Sequence, residues 1–293
     1  LRNNLGGYMH PAVLVANEFL EDERLIVYIE GRKSPREDFY SDGRGMYKEM
    51  NLIVLVDEIS ASASEILAGA LQDNDRAVLV GRRTFGKGLV QVPIEFNDGS
   101  MLRLTKSRYY TPSGRCLQKP YVAGNDTAYE AELIDRALHG EYYSADSIRI
   151  SGEKFTTRGG RTVYGGGGII PDVFVPIDTT KVTKFYMNCN RKATSVRFAS
   201  AMFDKYKDSL AKISDFNKLE QYLAEINLEQ QFLDYAAKED VIGSNSDKRI
   251  SEKLINEHIN SYIVRNILGD EGFYPLLNTT DETVIEALKQ VEN

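Results

Sequence analysis

The chain of 293 residues contains no tryptophan, only three histidines and only two cysteines, and each scarcity narrows what it can do. Cys116 and Cys189 are too few and too scattered for a disulfide scaffold or a zinc site, so both read as free thiols. No apolar run approaches the roughly 20 residues that a membrane-spanning helix needs, and no secretory signal pattern is present. Basic residues are outnumbered, 36 Lys and Arg against 43 Asp and Glu, and the net charge of −7 argues against nucleic-acid binding as the main role. Hydrophobic residues at 42% and charged residues at 27% are ordinary for a globular protein. The length allows a full core and predicts two structural units.

What the chain does have is a serine cluster, Ser60-Ala61-Ser62-Ala63-Ser64-Glu65-Ile66, followed by a lone lysine in Thr84-Phe85-Gly86-Lys87-Gly88. The serines follow an apolar run, Leu52-Ile53-Val54-Leu55-Val56, that reads as a buried strand. After them, Ile66, Leu67, Ala70 and Leu71 recur at helical spacing. A serine at such a strand-to-helix turn sits beside unpaired helical N–H groups, where the helix dipole favours an oxyanion. The same serines also suit helix capping, and Ser62 with Glu65 has capping-box spacing. Lys87 enters an otherwise apolar run, Leu89 to Phe96, where a lysine is costly unless neutral or hydrogen-bonded. Strand alternation predicts Lys87, Leu89 and Gln91 on one face, with the Gln91 amide able to orient the amine. An exposed lysine on an edge strand is the plainer alternative.

These residues carry a family resemblance. The stretches 56–73 and 80–91 resemble the active-site core of the carboxyl-terminal processing peptidases, also called tail-specific proteases. Leu1-Arg2-Asn3-Asn4-Leu5-Gly6-Gly7, Tyr109 to Arg115 and Val163 to Asp172 resemble further segments of that family, in the same order, so the likeness covers roughly residues 1–180. Leu5 stands where the family usually has proline. The resemblance implies Ser62 as nucleophile, Lys87 as general base and Gln91 as support for the lysine. It implies an oxyanion hole built from the N–H of Ala63 and that of Gly6 or Gly7, a choice the residues leave open. His10 is a rival base, although His10-Pro11 reads better as the start of a helix. Asp57 and Asp73 read as residues of turns, caps or ion pairs.

The implied function is a serine endopeptidase that cuts polypeptides near their carboxyl termini, with polypeptide tails as partners, no cofactor and no metal. The implied fold is α/β, a crotonase/Clp-protease-like layered βαβ core. Two other readings compete: a non-catalytic peptide-binding scaffold of the same fold, and a crotonase-like acyl-CoA enzyme, for which no basic patch stands out. The chain begins inside a motif, and family members usually carry an export signal and a PDZ domain ahead of it. The expectation is therefore a fragment of a longer exported protein, working in the bacterial periplasm or at the cell envelope.

Along the chain, helices are predicted near 11–22 and 62–73, and strands near 25–30, 51–56, 77–81, 88–96 and 100–109. Residues 31–45 read as a polar, mobile loop, and 119–172 as irregular and glycine-rich. Gly165 to Gly168 lack the lysine and serine of a phosphate loop and read as a tight backbone approach. From 181 to 293, Phe198, Met202, Phe203, Tyr206 and Leu210, and later Leu254, Ile255, His258, Ile259 and Tyr262, fall at helical spacing. This region reads as an all-helical appendage of four to six helices, with Asp215 among the caps, serving packing, dimerisation into a homodimer or substrate docking.

Overall fold

A computed structural model describes residues 1–122, 124–150, 152–210, 212–213 and 216–292; the expected cap Asp215 lies outside them. Contacts divide the chain into two compact units, one of Leu1–Ile177 with the residues from Glu286 onward, the other Asp178–Ile285.

The first unit is a mixed α/β structure. Its elements run α1 (Met9–Asn17), β1 (Leu25–Gly31), β2 (Ser34–Tyr40), β3 (Ile53–Val56), α2 (Ala63–Asp73), β4 (Val78–Gly81), β5 (Leu89–Glu95), β6 (Met101–Tyr110), α3 (Asp126–Leu138), β7 (Lys154–Thr156), β8 (Thr162–Tyr164) and β9 (Val173–Phe174). Strands β3, β4 and β9 form a parallel sheet in that order, with Ile53 opposite Val78 and Val80 opposite Val173. Because side chains alternate along a strand, this short sheet buries both faces. Val54, Val56 and Leu79 enter one core with residues of α1, α2, β1 and Tyr109. Ile53, Leu55, Val78, Val80 and Val175 join Ala287 in a second, smaller cluster. An antiparallel sheet of order β2-β1-β6-β5 shares the larger core through Ile26, Val27 and Tyr109.

Two expectations need correction. The stretch read as a mobile loop holds β2, which pairs antiparallel with β1. Its residues are exposed or half-buried along the whole strand, so no apolar alternation marks it. The stretch read as irregular holds α3, started by Asn125, whose side chain accepts the N–H of Ala128.

The second unit contains α4 (Lys184–Arg191), α5 (Thr194–Leu210), α6 (Phe216–Glu225), α7 (Leu228–Lys238), α8 (Asn245–Leu268), α9 (Asp270–Asn278) and the start of α10 (Glu282–Glu292). Among the described residues these are seven helices against the four to six expected, because left-handed residues such as Ala193 and Asn227 break the periodic stretches into shorter pieces. Phe185, Phe198, Phe232, Ile255, Ile259 and Ile263 form its core.

Candidate active site

The site is built where β3 turns into α2, outside the carboxyl end of a parallel strand, a place where open α/β sheets commonly form crevices. Asp57 shapes this turn. Its carboxylate accepts the N–H groups of Asn3 (2.9 Å), Ile59 (3.0 Å) and Ser60 (3.0 Å), which ties the N-terminal loop to the turn.

The structure separates the three serines by what their hydroxyls do. Ser60 is fully buried and its Oγ donates to Leu1 O at 2.8 Å. Ser64 is buried and its Oγ donates to Asn4 O at 3.0 Å. Both are committed to holding the loop of residues 1–7. Ser62 alone of the three lines an open cleft of about 520 Å³. It caps α2 with φ 57° and ψ −118°, a left-handed conformation that costs a non-glycine residue of order 1–3 kcal/mol.

The same cleft is lined by Gly6, Gly7, Ala63, Lys87 and Gln91, so the residues singled out in the sequence meet in one place. Gly6 has φ +86°, and a Cβ there would fall 2.6 Å from Ala63 N and 2.9 Å from Ser62 Cβ. Only glycine permits that approach. The Gly6 N–H donates to Asn4 Oδ1 at 2.9 Å. Gly7 faces open space.

Lys87 is half-buried in the irregular stretch ahead of β5. Gln91 is exposed, and its Nε2 donates to Thr105 Oγ1 at 3.4 Å. Among the described residues it makes no hydrogen bond to Lys87. A register shift between Val90 and Gln91, opposite Lys106 of β6, interrupts the simple alternation expected there. His10 is exposed on α1 and does not line the cleft. Asp73 pairs with the buried Arg115 at 2.7 Å, a structural role.

Two residues that sequence reasoning left in minor parts organise the site. Glu65, read only as a capping-box partner, is fully buried. Its Oε2 accepts the N–H of Ser62 (3.0 Å) and of Lys87 (2.8 Å), while Oε1 accepts the Gly86 N–H (2.8 Å) and the Thr84 hydroxyl. Burial pushes its carboxyl pKa up, and the four donors pull it back toward the ionised form. Tyr109 is buried, and its hydroxyl meets Ser62 O at 3.1 Å and donates to Lys87 O. Burial, with the Glu65 charge behind it, raises the Tyr109 pKa well above the usual phenol value, so it stays protonated. The capping spacing was the one legible signal for Glu65; nothing local marks Tyr109.

Gly168 closes the back of the site. A Cβ there would fall 2.4 Å from Thr84 O, and Thr84 Oγ1 accepts the Ile169 N–H at 2.7 Å. The glycine run thus serves close backbone packing beside the lysine loop.

Comparison with known proteins follows the same residues. The model of peptidase family S41 matches residues 1–127, and a family of unknown function (DUF8443) matches residues 185–269. A carboxyl-terminal-processing protease of Synechocystis sp. is 45% identical over 137 residues, 47% of this chain and 31% of that protein. A protein of Staphylococcus aureus named "Probable CtpA-like serine protease" is 39% identical over 136 residues, 45% of this chain and 27% of that protein. Among solved structures, a photosystem II D1 C-terminal processing protease aligns at 30% identity with a TM-score of 0.41, over 61% of this chain and 34% of that one. The matched portion thus spans less than a third of the length of these curated relatives, 31% and 27%.

Proposed function

Through residues 1–127 the chain belongs to peptidase family S41, and on that premise we propose that it is a serine endopeptidase working through a Ser62–Lys87 dyad. The observation that carries this reading is the convergence of Ser62 and Lys87 on one cleft, while Ser60 and Ser64 are spent on the N-terminal loop.

Ser62 Oγ attacks the scissile carbonyl carbon as its proton passes to Nζ of Lys87. The carbonyl electrons move onto oxygen, and the N–H of Ala63 with that of Gly7 stabilises the oxyanion, at about 3 kcal/mol per donor. Gly7 is the better candidate because the Gly6 N–H is taken by Asn4. The tetrahedral intermediate collapses, the C–N bond breaks, and the Lys87 ammonium protonates the leaving amine. Lys87 then takes a proton from water as its oxygen bonds to the ester carbon, the C–Oγ bond breaks, and the Lys87 ammonium returns that proton to Ser62 Oγ. Gln91 lies in the same cleft and steadies the amine once substrate displaces its Thr105 contact.

The substrates are polypeptides cut near their carboxyl termini, a choice supported by the names of the relatives. Strand β5 is the outer strand of its sheet and lines the cleft at Leu89, Val90, Gln91 and Pro93, a setting for a peptide held as an added strand. The layering is that of a crotonase/Clp-protease-like core carrying a helical appendage, and the protein acts in the periplasm or at the cell envelope; the family likeness supports both. Among the described residues no helix is long and apolar enough to cross a membrane.

The test is cleavage of unfolded casein by the native chain, Ser62→Ala and Lys87→Ala. Turnover by the native chain with loss in both variants supports the dyad. Undiminished turnover by Ser62→Ala excludes it. Peptide binding without cleavage by any of the three favours the scaffold reading.

A further inference from the structure

Ser62 and Lys87 come from different parts of the chain. The Ser62 carbonyl accepts the first helical N–H groups, those of Glu65 (2.8 Å) and Ile66 (3.0 Å), but its own N–H and both backbone polar groups of Lys87 find their partners outside any helix or sheet ladder. Ser62 sits at a strained φ of 57°, and Lys87 lies in the irregular stretch between β4 and β5. Strain of this kind persists only where the surroundings over-determine the backbone. Here they do so from both sides of each peptide. The N–H groups of Ser62 and Lys87 converge on one oxygen, Glu65 Oε2, at 3.0 and 2.8 Å. Their carbonyl oxygens converge on one hydroxyl, that of Tyr109.

We infer that Glu65 and Tyr109 form a bracket that fixes the separation of Ser62 and Lys87, and that they are positioning residues for the cleavage reaction. The inference rests on the Ser62–Lys87 reading of the site. Both side chains act on the backbone of the pair: the Glu65 carboxylate accepts the N–H groups of Ser62 and Lys87, and the Tyr109 hydroxyl, at the floor of the same cleft and 1% exposed as a residue, meets their carbonyl oxygens.

The chemistry of each group suits the task. An ionised carboxylate has about four acceptor positions and no donor, and Glu65 fills four, with Ser62, Lys87, Gly86 and Thr84. A glutamine there would turn one oxygen into an NH₂ that faces at least one backbone N–H whichever way it flips, two at the Oε2 position and that of Gly86 at Oε1. The phenol has a single proton for two carbonyls, so it is shared between Lys87 O and Ser62 O and couples their positions. Tyr109 is itself anchored, its N–H donating to Gly88 O at 3.0 Å. A displacement of about 1 Å between nucleophile and base can cost on the order of 10²-fold in rate.

The experiment compares the native chain, Tyr109→Phe, Glu65→Gln, Ser62→Ala and Lys87→Ala. Two rates are read: labelling of the nucleophile by a small fluorophosphonate, which needs no peptide binding, and kcat and KM on a fluorogenic peptide. Tyr109→Phe keeps the buried ring and removes only the hydroxyl, so it remains informative if Glu65→Gln does not fold. The expected result is a loss of about 10²-fold in labelling rate and kcat for Tyr109→Phe, with KM within about threefold and a cooperative melt retained. A loss confined to KM, or labelling within about twofold of native, overturns the bracket while leaving the dyad standing if Ser62→Ala is not labelled. Labelling of Ser62→Ala at the native rate, or no labelling of the native chain, overturns the dyad reading and the bracket with it.

Discussion

Oε2 of Glu65 accepts the backbone N–H of Lys87 at 2.8 Å, joining the first turn of α2 to a loop 22 residues further along the chain. The helix cap and the lysine loop are therefore one structure, and the buried carboxylate holds Gly86, Thr84 and Ser62 as well. Glu65→Ala strands these donors in a buried site, where each unsatisfied polar group costs about 1–3 kcal/mol. We expect Glu65→Ala to lose more than about 3 kcal/mol in denaturant unfolding. A loss below 1 kcal/mol, on the order of a single hydrogen bond, would show that water replaces the carboxylate easily.

The two glycines at the mouth of the cleft differ in the room they leave. Gly6 has φ +86° and its Cβ would strike Ala61 O at 2.5 Å and Ala63 N at 2.6 Å, whereas Gly7 faces open space. Gly7→Ala keeps its N–H and is expected to hold activity within about threefold. Gly6→Ala pushes against Ala63 and is expected to lose at least about 10²-fold in kcat, the scale of one lost oxyanion donor. Steady-state kinetics on one peptide substrate separate the two, and equal effects would remove the oxyanion assignment.

Arg115 and Asp73 form a buried ion pair of 2.7 Å, with Arg115 also donating to Gln72 Oε1 at 2.6 Å. Breaking a buried pair from one side leaves an uncompensated charge, at a cost of about 3–5 kcal/mol. Asp73→Ala is expected to destabilise by that amount in urea unfolding. The double variant Arg115→Met, Asp73→Leu is expected to recover part of the loss, because it buries no charge.

In the helical unit, His258 lies partly buried beside Tyr186, with ring centroids 5.7 Å apart. Burial lowers its pKa below the ordinary value of 6.5. On acidification from pH 7 the unfolded chain therefore takes up a proton that the folded chain resists, so stability falls as pH drops through 6.5 toward the folded pKa. His258→Phe is expected to flatten the pH dependence of chemical unfolding between pH 7 and about 5. An unchanged slope would locate the titration elsewhere.

The site was legible in the sequence to the extent that its chemistry is local. The run of three small serines after an apolar strand, with Glu65 at capping spacing, marked the turn, and Lys87 between glycines marked the loop that meets it. The residues alone could not decide among Ser60, Ser62 and Ser64, because each suits a cap. That decision depends on Leu1 O and Asn4 O, partners 59 and 60 positions away. Tyr109 was invisible as a positioning group for the same reason, since its carbonyl partners are 22 and 47 residues distant. Strand β2 escaped because an exposed edge strand has no apolar face to betray its period. The bond expected between Gln91 and Lys87 is absent among the described residues, where Gln91 turns to Thr105 beside a register shift that strand alternation does not foresee.

The central claim is that Ser62, and not its neighbours, is the nucleophile and that Lys87 activates it. The most direct measurement is peptide mapping by mass spectrometry after exposure to a small fluorophosphonate, for the native chain and Lys87→Ala. The account expects one adduct, on Ser62, and its near disappearance in Lys87→Ala. An adduct on Ser60 or Ser64, or labelling of Ser62 that persists unchanged without Lys87, contradicts it.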